Sequence, residues 1–546
     1  MSVIHGATYA GPYPNTTWPG YTPFYYQFTD MWSKIQPAWI HLKDTLDYIA
    51  RNQYVLSQGK PKTDLAFYMY AAPWASKTAY PSFNLLDLGE SFFPAPFSAC
   101  LSTLTSFSGF TYDYMGGDSF LNLIVKDGTL LPDGPAYKAL IAYEQATITV
   151  DYIKSMQKIA ASGVPVVFVG TTPSQTMPAT AGALSAMQTA LDKLLATRNV
   201  HRVGSAEDLP SLLESLKIEP RVSLSCSNSG VTPLWRSAAD ADYLFLYNDG
   251  NSTTDCYTAV RAADAKQTTP YILDAWTGQE QRLAQFDTKS GRLTTTATLR
   301  SKETYIVALK REKRPNHRVA SISSSNVLWT KYADDSETIL AAVSGPATIS
   351  TLSGCKKTEH VYDPKLPETT DFDKWDIVLE DWHSAEDAFS IKTELSETRW
   401  PSHELVPWSE FDDGFEAVSG VGHYHTNFTV PKASNDSVVL GGALSLGPVF
   451  NTVRVYLDGV ALPPIDPSRS EIDLSPWLGQ PGASHELKIV VTSTLFNRVR
   501  ASPDKVMLWG TTAAEVQPLY GELPAQEYGL LGPVFIKWFS IEELKQ

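Results

Sequence analysis

The sequence predicts a multidomain α/β plus all-β protein. Three observations carry this: 546 residues, strand and helix signals that alternate over 62–217, and short strands punctuated by turns from 218 to the end. At roughly 100–200 residues per domain, the length suggests about three to five domains. Hydrophobic residues make up 43%, enough for several cores.

Residues 1–61 read as a single βα unit. Val3-Ile4 ends a short strand, and Thr8 to Tyr26 is a long loop dense in Pro, Gly, Tyr and Trp. Trp39, Leu42, Leu46, Ile49 and Leu56 then recur at helical spacing, and Gly59 and Pro61 stop the helix. One such unit cannot bury its own apolar face. Leaving that face open forgoes about 1.5–3 kcal/mol per side chain. The helix is therefore expected to fold back on the following α/β domain, or to mediate self-association through 39–56.

Residues 62–217 read as a flavodoxin-like α/β domain. Leu65–Tyr70, Ala139–Tyr143 and Val164–Val169 are apolar strands, and helices run to Ala161 and over Ala183–Ala196. That rhythm belongs to a parallel sheet covered on both faces. Residues 218–368 read as an antiparallel β-domain, with strands over Tyr243–Tyr247, Tyr271–Ala275 and Thr304–Leu309 and a turn at Asn248-Asp249-Gly250. Residues 369–546 read as a second β-module of sandwich type, with strands over Val438–Leu446, Val453–Leu457 and Leu487–Val491.

The balance of 44 Lys and Arg against 59 Asp and Glu gives a net charge of −15. So acidic a chain argues against nucleic-acid and anionic-membrane partners. No apolar run of 18 residues is present, so no transmembrane helix is expected. Met1 is followed by Ser-Val-Ile-His-Gly, which is not a signal peptide. Four glycosylation sequons, at Asn15, Asn251, Asn427 and Asn435, point the other way, to secretion. Cys100, Cys226, Cys256 and Cys355 form no CxxC pair, which disfavours zinc. Cys226 with Cys256 is the first disulfide candidate, and four buried free thiols are the alternative.

Several residues invite chemistry. Asp87 with Glu90, and Asp113 with Asp118, are carboxylate pairs that also read as solvated or turn-capping groups. Val169-Gly170-Thr171-Thr172-Pro173-Ser174 follows a strand but has a single Gly, too little for a phosphate loop. Ser227 and Ser229 beside Gly230 do not make GxSxG. Asp249, Asp255 and Asp458 lack an EF-hand frame. His423 and His425 share one strand face, two ligands short of a zinc site, and no metal ligand is assigned.

Ordered motifs run through nearly the whole chain. They are Ile4-His5-Gly6 with its aromatic loop, His41-Leu42-Lys43-Asp44, Asp47 to Pro61, Phe110 to Met115, Lys126-Asp127-Gly128 and Leu131 to Gly134. Further on come Gly420 to Tyr424, Asn427 to Pro431, Leu446 to Val449, Val455 to Gly459, Thr494 to Arg498 and Gly529 to Val534. Together they resemble glycoside hydrolase family 106, the α-L-rhamnosidases. The resemblance implies that 1–61 is the last unit of a (β/α)8 barrel and that 369–546 is a galactose-binding-like jelly-roll sandwich. It implies an inverting, calcium-assisted secreted hydrolase of terminal rhamnosyl groups. The family's acid and base glutamates lie upstream of the His-Gly segment, so neither maps onto this sequence and the catalytic residues are unknown. Met1 is then expected to begin downstream of them, in an N-terminally truncated enzyme. His5 is the site residue retained at the end of a barrel strand. Trp18, Tyr21, Tyr25 and Tyr26 are the sugar-stacking wall. A non-catalytic carbohydrate-binding or scaffold relative, and a repurposed small-molecule enzyme, are the competing functions.

Overall fold

A computed structural model describes residues 36–68, 104, 108–116, 121, 123–228, 230–261, 267–289, 291–333, 336–384, 392–433, 438–501 and 524–546. The chain divides into two compact units. One comprises Met1–Asn52, Ala275–Gln279 and Val319–Gln546; the other comprises Gln53–Asp274 and Glu280–Arg318.

The second unit holds a five-stranded parallel sheet. Its order is Tyr112–Met115, Leu65–Tyr68, Ala139–Tyr143, Val166–Val169, Val200–Val203. In chain order that is 2-1-3-4-5. The central strands are apolar on both faces because helices cover both. Val150–Ala161 and Ala181–Leu195 bury Met156, Ile159, Met187 and Leu191 with Leu140 and Phe168 on one side. Leu209–Ser215 buries Leu209 and Leu213 with Ile141 and Val167 on the other. Thr149 and Thr180 cap the first two helices by accepting the backbone N–H of Tyr152 and Ala183.

In the same unit two antiparallel sheets enclose a core of Trp235, Leu244, Leu246, Phe286, Leu293 and Val307. Cys226 and Cys256 face one another on neighbouring strands and are disulfide-bonded, which decides between the two cysteine readings.

The first unit is dominated by two six-stranded antiparallel sheets packed face to face. One is ordered Thr393–His403, Trp375–Ser384, Gly420–Thr429, Ser484–Thr492, Thr452–Leu457, Val460–Ala461. The other contains Val327–Tyr332, Ile339–Val343, Phe535–Leu544, Leu440–Ser445 and Glu471–Asp473, with Thr370–Asp371 alongside Phe535–Leu544. Trp375, Ile377, Tyr424, Val455 and Ile489 from the first meet Leu444, Ile536 and Trp538 from the second. The strands between Val327 and Val343, which sequence proximity groups with 218–368, hydrogen-bond instead to Phe535–Leu544 through Ile339–Val343. Apolar alternation tells which face of a strand is buried but not which strand lies beside it.

The N-terminal helix runs over Leu42–Ser57, preceded by a 3-10 turn at Pro37–His41. Leu42 is buried as expected, whereas Trp39 and Leu46 are exposed, and Ala38 and His41 are buried in their place. Within its own unit, this first half packs on the sandwich.

Candidate functional site

His5, Trp18, Tyr21, Tyr25 and Tyr26, the predicted sugar contacts, lie outside the described residues, as do Asp87, Glu90 and Asp118. Asp113 is described, and its carboxylate accepts a hydrogen bond from the Tyr137 hydroxyl at 3.0 Å. The described residues show what the remaining motifs do.

The His41–Asp44 motif meets, some 410 residues away in sequence, the outer face of one sandwich sheet. Residues 421, 423, 452, 454, 490 and 492 alternate with the core positions 422, 424, 453, 455, 489 and 491, so they share that outer face. The start of the N-terminal helix lies on it. His41 Nδ1 is hydrogen-bonded to the Thr452 hydroxyl at 2.8 Å, and Thr452 to the Thr492 hydroxyl at 2.6 Å. Arg454 grips Asp44 with Nε at 3.2 Å and with a second, terminal nitrogen. Leu495 N donates to Gln36 Oε1 at 3.1 Å. Farther along the helix Arg51 donates to the carbonyls of Ala275 (2.9 Å) and Trp276 (2.6 Å), and Tyr48 stacks on Trp276. Burial holds the His41 imidazole far below its ordinary 6.5, at about 4, with Arg454 pushing the same way.

Next to this seam the Glu380 carboxylate accepts from His423 Nε2 at 3.0 Å and from Trp382 Nε1 at 3.2 Å. The His423 bond is the main reason that the Glu380 carboxyl lies below its usual range. Asp381 is held by the Arg498 guanidinium through both carboxylate oxygens. Asn497, 2% exposed, clasps the Gln526 backbone with its amide, donating to the carbonyl and accepting the N–H, each at 2.8 Å.

The Gly420–Tyr424 motif is explained by packing. Tyr424 is fully buried, and its hydroxyl accepts from Trp408 Nε1 at 2.7 Å and from Leu530 N at 3.1 Å. A Cβ on Gly422 would lie 2.8 Å from the Trp408 ring. His423 and His425 do share a face, but each meets a separate carboxylate, Glu380 and Glu486. These motifs anchor a helix and seal a core.

The parallel sheet offers a second place to look. In doubly wound sheets ligands sit at the carboxyl ends of the strands. There the loop after Val166–Val169 already holds an internal anion. Glu144 Oε2 accepts from Thr171 N at 3.2 Å and from the Thr171 hydroxyl at 2.5 Å. Gly170 has φ +75°, and a Cβ on it would fall 1.9 Å from the Glu144 carboxylate. The 169–174 segment is thus tied down by the protein's own side chain.

The opposite, amino edge carries a buried charge cluster that sequence reading missed. Asp64, 1% exposed, is bound by Lys138 Nζ (2.8 Å), Arg221 NH1 (2.8 Å), the Thr111 hydroxyl (3.1 Å) and the N–H groups of Arg221 and Thr111 (3.1 and 3.3 Å). Asp64, Thr111 and Lys138 each immediately precede a strand of the parallel sheet, and Arg221 precedes the antiparallel strand Val222–Cys226. The cluster staples the amino edge of the parallel sheet to the start of that strand.

Among the described residues no group of three or more His, Cys, Asp or Glu side chains could hold a metal. Asp249 pairs with Lys302, Asp255 accepts from Thr298, and Asp458 with His485. Among the described residues no helix is long and apolar enough to cross a membrane.

A family model for α-L-rhamnosidases of glycoside hydrolase family 106 matches residues 3–287, more than half of the chain. No curated protein matches. Among solved structures, a rhamnosidase from Novosphingobium sp. PP1Y superposes with a TM-score of 0.61 at 17% identity, over 92% of this chain and 41% of that one. At that identity the likeness is one of fold, and this chain spans 41% of the rhamnosidase's length. An apo exo-carrageenase of glycoside hydrolase family 42 from Bacteroides ovatus, at 14% identity over 46% of this chain and 29% of that one, reaches a TM-score of only 0.28. The match over residues 3–287 identifies this chain as a member of glycoside hydrolase family 106, the α-L-rhamnosidase family.

Proposed function

We propose that this chain takes part in hydrolysis of terminal α-L-rhamnosyl groups of glycans or glycosides, with inversion at the anomeric carbon. The family match over residues 3–287 carries this reading. The finer architecture goes with it: 1–61 as the last unit of a (β/α)8 barrel, 62–217 as a flavodoxin-like domain, 218–368 as an antiparallel β-domain whose strands over 327–343 join the sheet of the C-terminal module, and 369–546 as a galactose-binding-like jelly roll. The 2-1-3-4-5 order of the parallel sheet supports the flavodoxin-like assignment. The Cys226–Cys256 disulfide supports secretion, since such bonds persist in oxidising compartments.

Inversion needs a carboxylic acid at the leaving oxygen and a carboxylate that activates water on the other face of the sugar, about 6.5–9.5 Å apart. On this reading both carboxylates, and any calcium, lie outside the described residues. His5 hydrogen-bonds a sugar hydroxyl, and Trp18, Tyr21, Tyr25 and Tyr26 stack on the ring. Losing one such hydrogen bond costs about 1.5–3 kcal/mol, so H5A is expected to lower kcat/KM for an aryl α-L-rhamnoside about 10–100-fold.

The second reading is a carbohydrate-binding relative without catalysis.

Proton NMR of the purified protein with an aryl α-L-rhamnoside separates the readings. β-Rhamnose as the first product is expected. α-Rhamnose first would exclude inversion. Rhamnose bound but never released would establish the non-catalytic relative.

A further inference from the structure

We propose that Asn251 carries an N-linked oligosaccharide. The sequon Asn251-Ser252-Thr253 lies in the loop between strands Ala241–Asn248 and Thr254–Arg261, and all three residues are exposed. The loop is held from beneath. Asn248, 0% exposed, donates from its amide to the carbonyls of Ser252 (2.9 Å), Leu299 (3.2 Å) and Arg300 (2.9 Å), and its side-chain oxygen accepts Gly250 N at 2.9 Å. The Ser301 hydroxyl donates to the Gly250 carbonyl at 2.8 Å, and Asn228 Nδ2 to the Thr253 carbonyl at 3.1 Å. These bonds take up the backbone at the loop's base and leave the acceptor residue at a solvated apex. A bulky hydrophilic adduct fits such a place without displacing any buried group.

The disulfide supplies an independent observation. Cys226–Cys256 closes the stretch that contains Asn251. A buried cross-strand disulfide forms in an oxidising secretory compartment, where sequons meet the oligosaccharide donor. Asn427 is a poorer acceptor in the fold, although also exposed. It lies within strand Gly420–Thr429, opposite Glu486, and its partner hydroxyl on Thr429 is bonded to Ser484 at 3.0 Å. Asn15 and Asn435 lie outside the described residues.

The co-reactant is a lipid-pyrophosphate-linked oligosaccharide. The Asn251 amide nitrogen forms a bond to the anomeric carbon of the first sugar, and the bond from that carbon to the phosphate oxygen breaks. The lipid pyrophosphate leaves with the bonding electron pair, and the amide loses one proton. The transfer is redox-neutral.

The inference rests on the secretion reading and not on rhamnoside hydrolysis, so rhamnose release is scored separately. The protein is recovered from the medium of secreting eukaryotic cells. It is treated in heavy-oxygen water with an amidase that converts glycosylated Asn to Asp, and its peptides are weighed. Heavy Asp is expected at position 251. N251Q and T253A are each expected to lose one oligosaccharide from the intact mass, and T253S to retain it. Unmodified Asn251 in secreted protein, or T253A that keeps the full mass, would overturn the site. Protein confined to the cytosol with Cys226 and Cys256 reduced would overturn both the site and secretion.

Discussion

Replacing Asp64 by Ala is expected to destabilise the parallel-sheet unit by about 3–5 kcal/mol, the cost of breaking a buried ion pair from one side. Asp64 is 1% exposed, and it compensates two cations, Lys138 and Arg221, whose side chains are 26% and 18% exposed. Burial already pushes the Lys138 ammonium below its usual range. Without Asp64 both charges stay against the sheet edge, and the Thr111 hydroxyl and the N–H groups of Thr111 and Arg221 lose their acceptor. D64N keeps an acceptor but no charge, and is expected to fall between wild type and D64A. Because the chain has two units, a single melt would blend transitions. Hydrogen exchange of the Ala139–Tyr143 and Val166–Val169 amides in urea reads the relevant one. A loss below about 1 kcal/mol in D64A would contradict the staple, since that is the range of exposed pairs.

The Asp64 cluster shows where sequence reading stops. The strands themselves were legible. Ala139–Tyr143 is an apolar run with no competing period, and the structure begins and ends it as the sequence does. Asp64, Thr111, Lys138 and Arg221 each stand singly before such a run. A charge in that position looks like ordinary strand punctuation. Parallel pairing brings Asp64, Thr111 and Lys138 together, Arg221 joins them from the start of an antiparallel strand, and pairing between strands 47 residues apart or more leaves no local signal.

The motifs at the far end behave in the same way. Their order marked the family. It did not reveal that His41, Asp44, Thr452 and Arg454 would meet on one sheet face, because alternation within a strand does not say what covers it. The buried face of the N-terminal helix also differs from the periodic one, with Trp39 and Leu46 exposed and Ala38 and His41 buried. The predicted sugar contacts at His5 and along 18–26 lie outside the described residues.

Acidification is expected to loosen the sandwich unit through His41. In the unfolded chain this imidazole has its ordinary pKa of 6.5; in the fold burial holds it at about 4. Between those values the unfolded chain binds a proton that the folded chain refuses. Stability therefore rises with pH across the window and is lost as pH falls through it. The gap between 6.5 and about 4 corresponds to about 3 kcal/mol. The charges around the ring act in opposite directions: Arg454 and His423 disfavour the added proton and Asp44 favours it, with burial the largest cause. Glu380, whose carboxyl is held low by His423, acts in the same sense but lower, its contribution fading below its ordinary 4.5. Hydrogen exchange of the Gly420–Thr429 and Ser484–Thr492 amides in urea reports unfolding of this unit. The urea midpoint is expected to fall steeply between pH 6.5 and 4 in the wild type. H41Q keeps a side chain able to reach the Thr452 hydroxyl but cannot titrate, so its midpoint is expected to stay nearly level over the same interval. Equal slopes in the two proteins would mean that His41 is not the group that senses the acid.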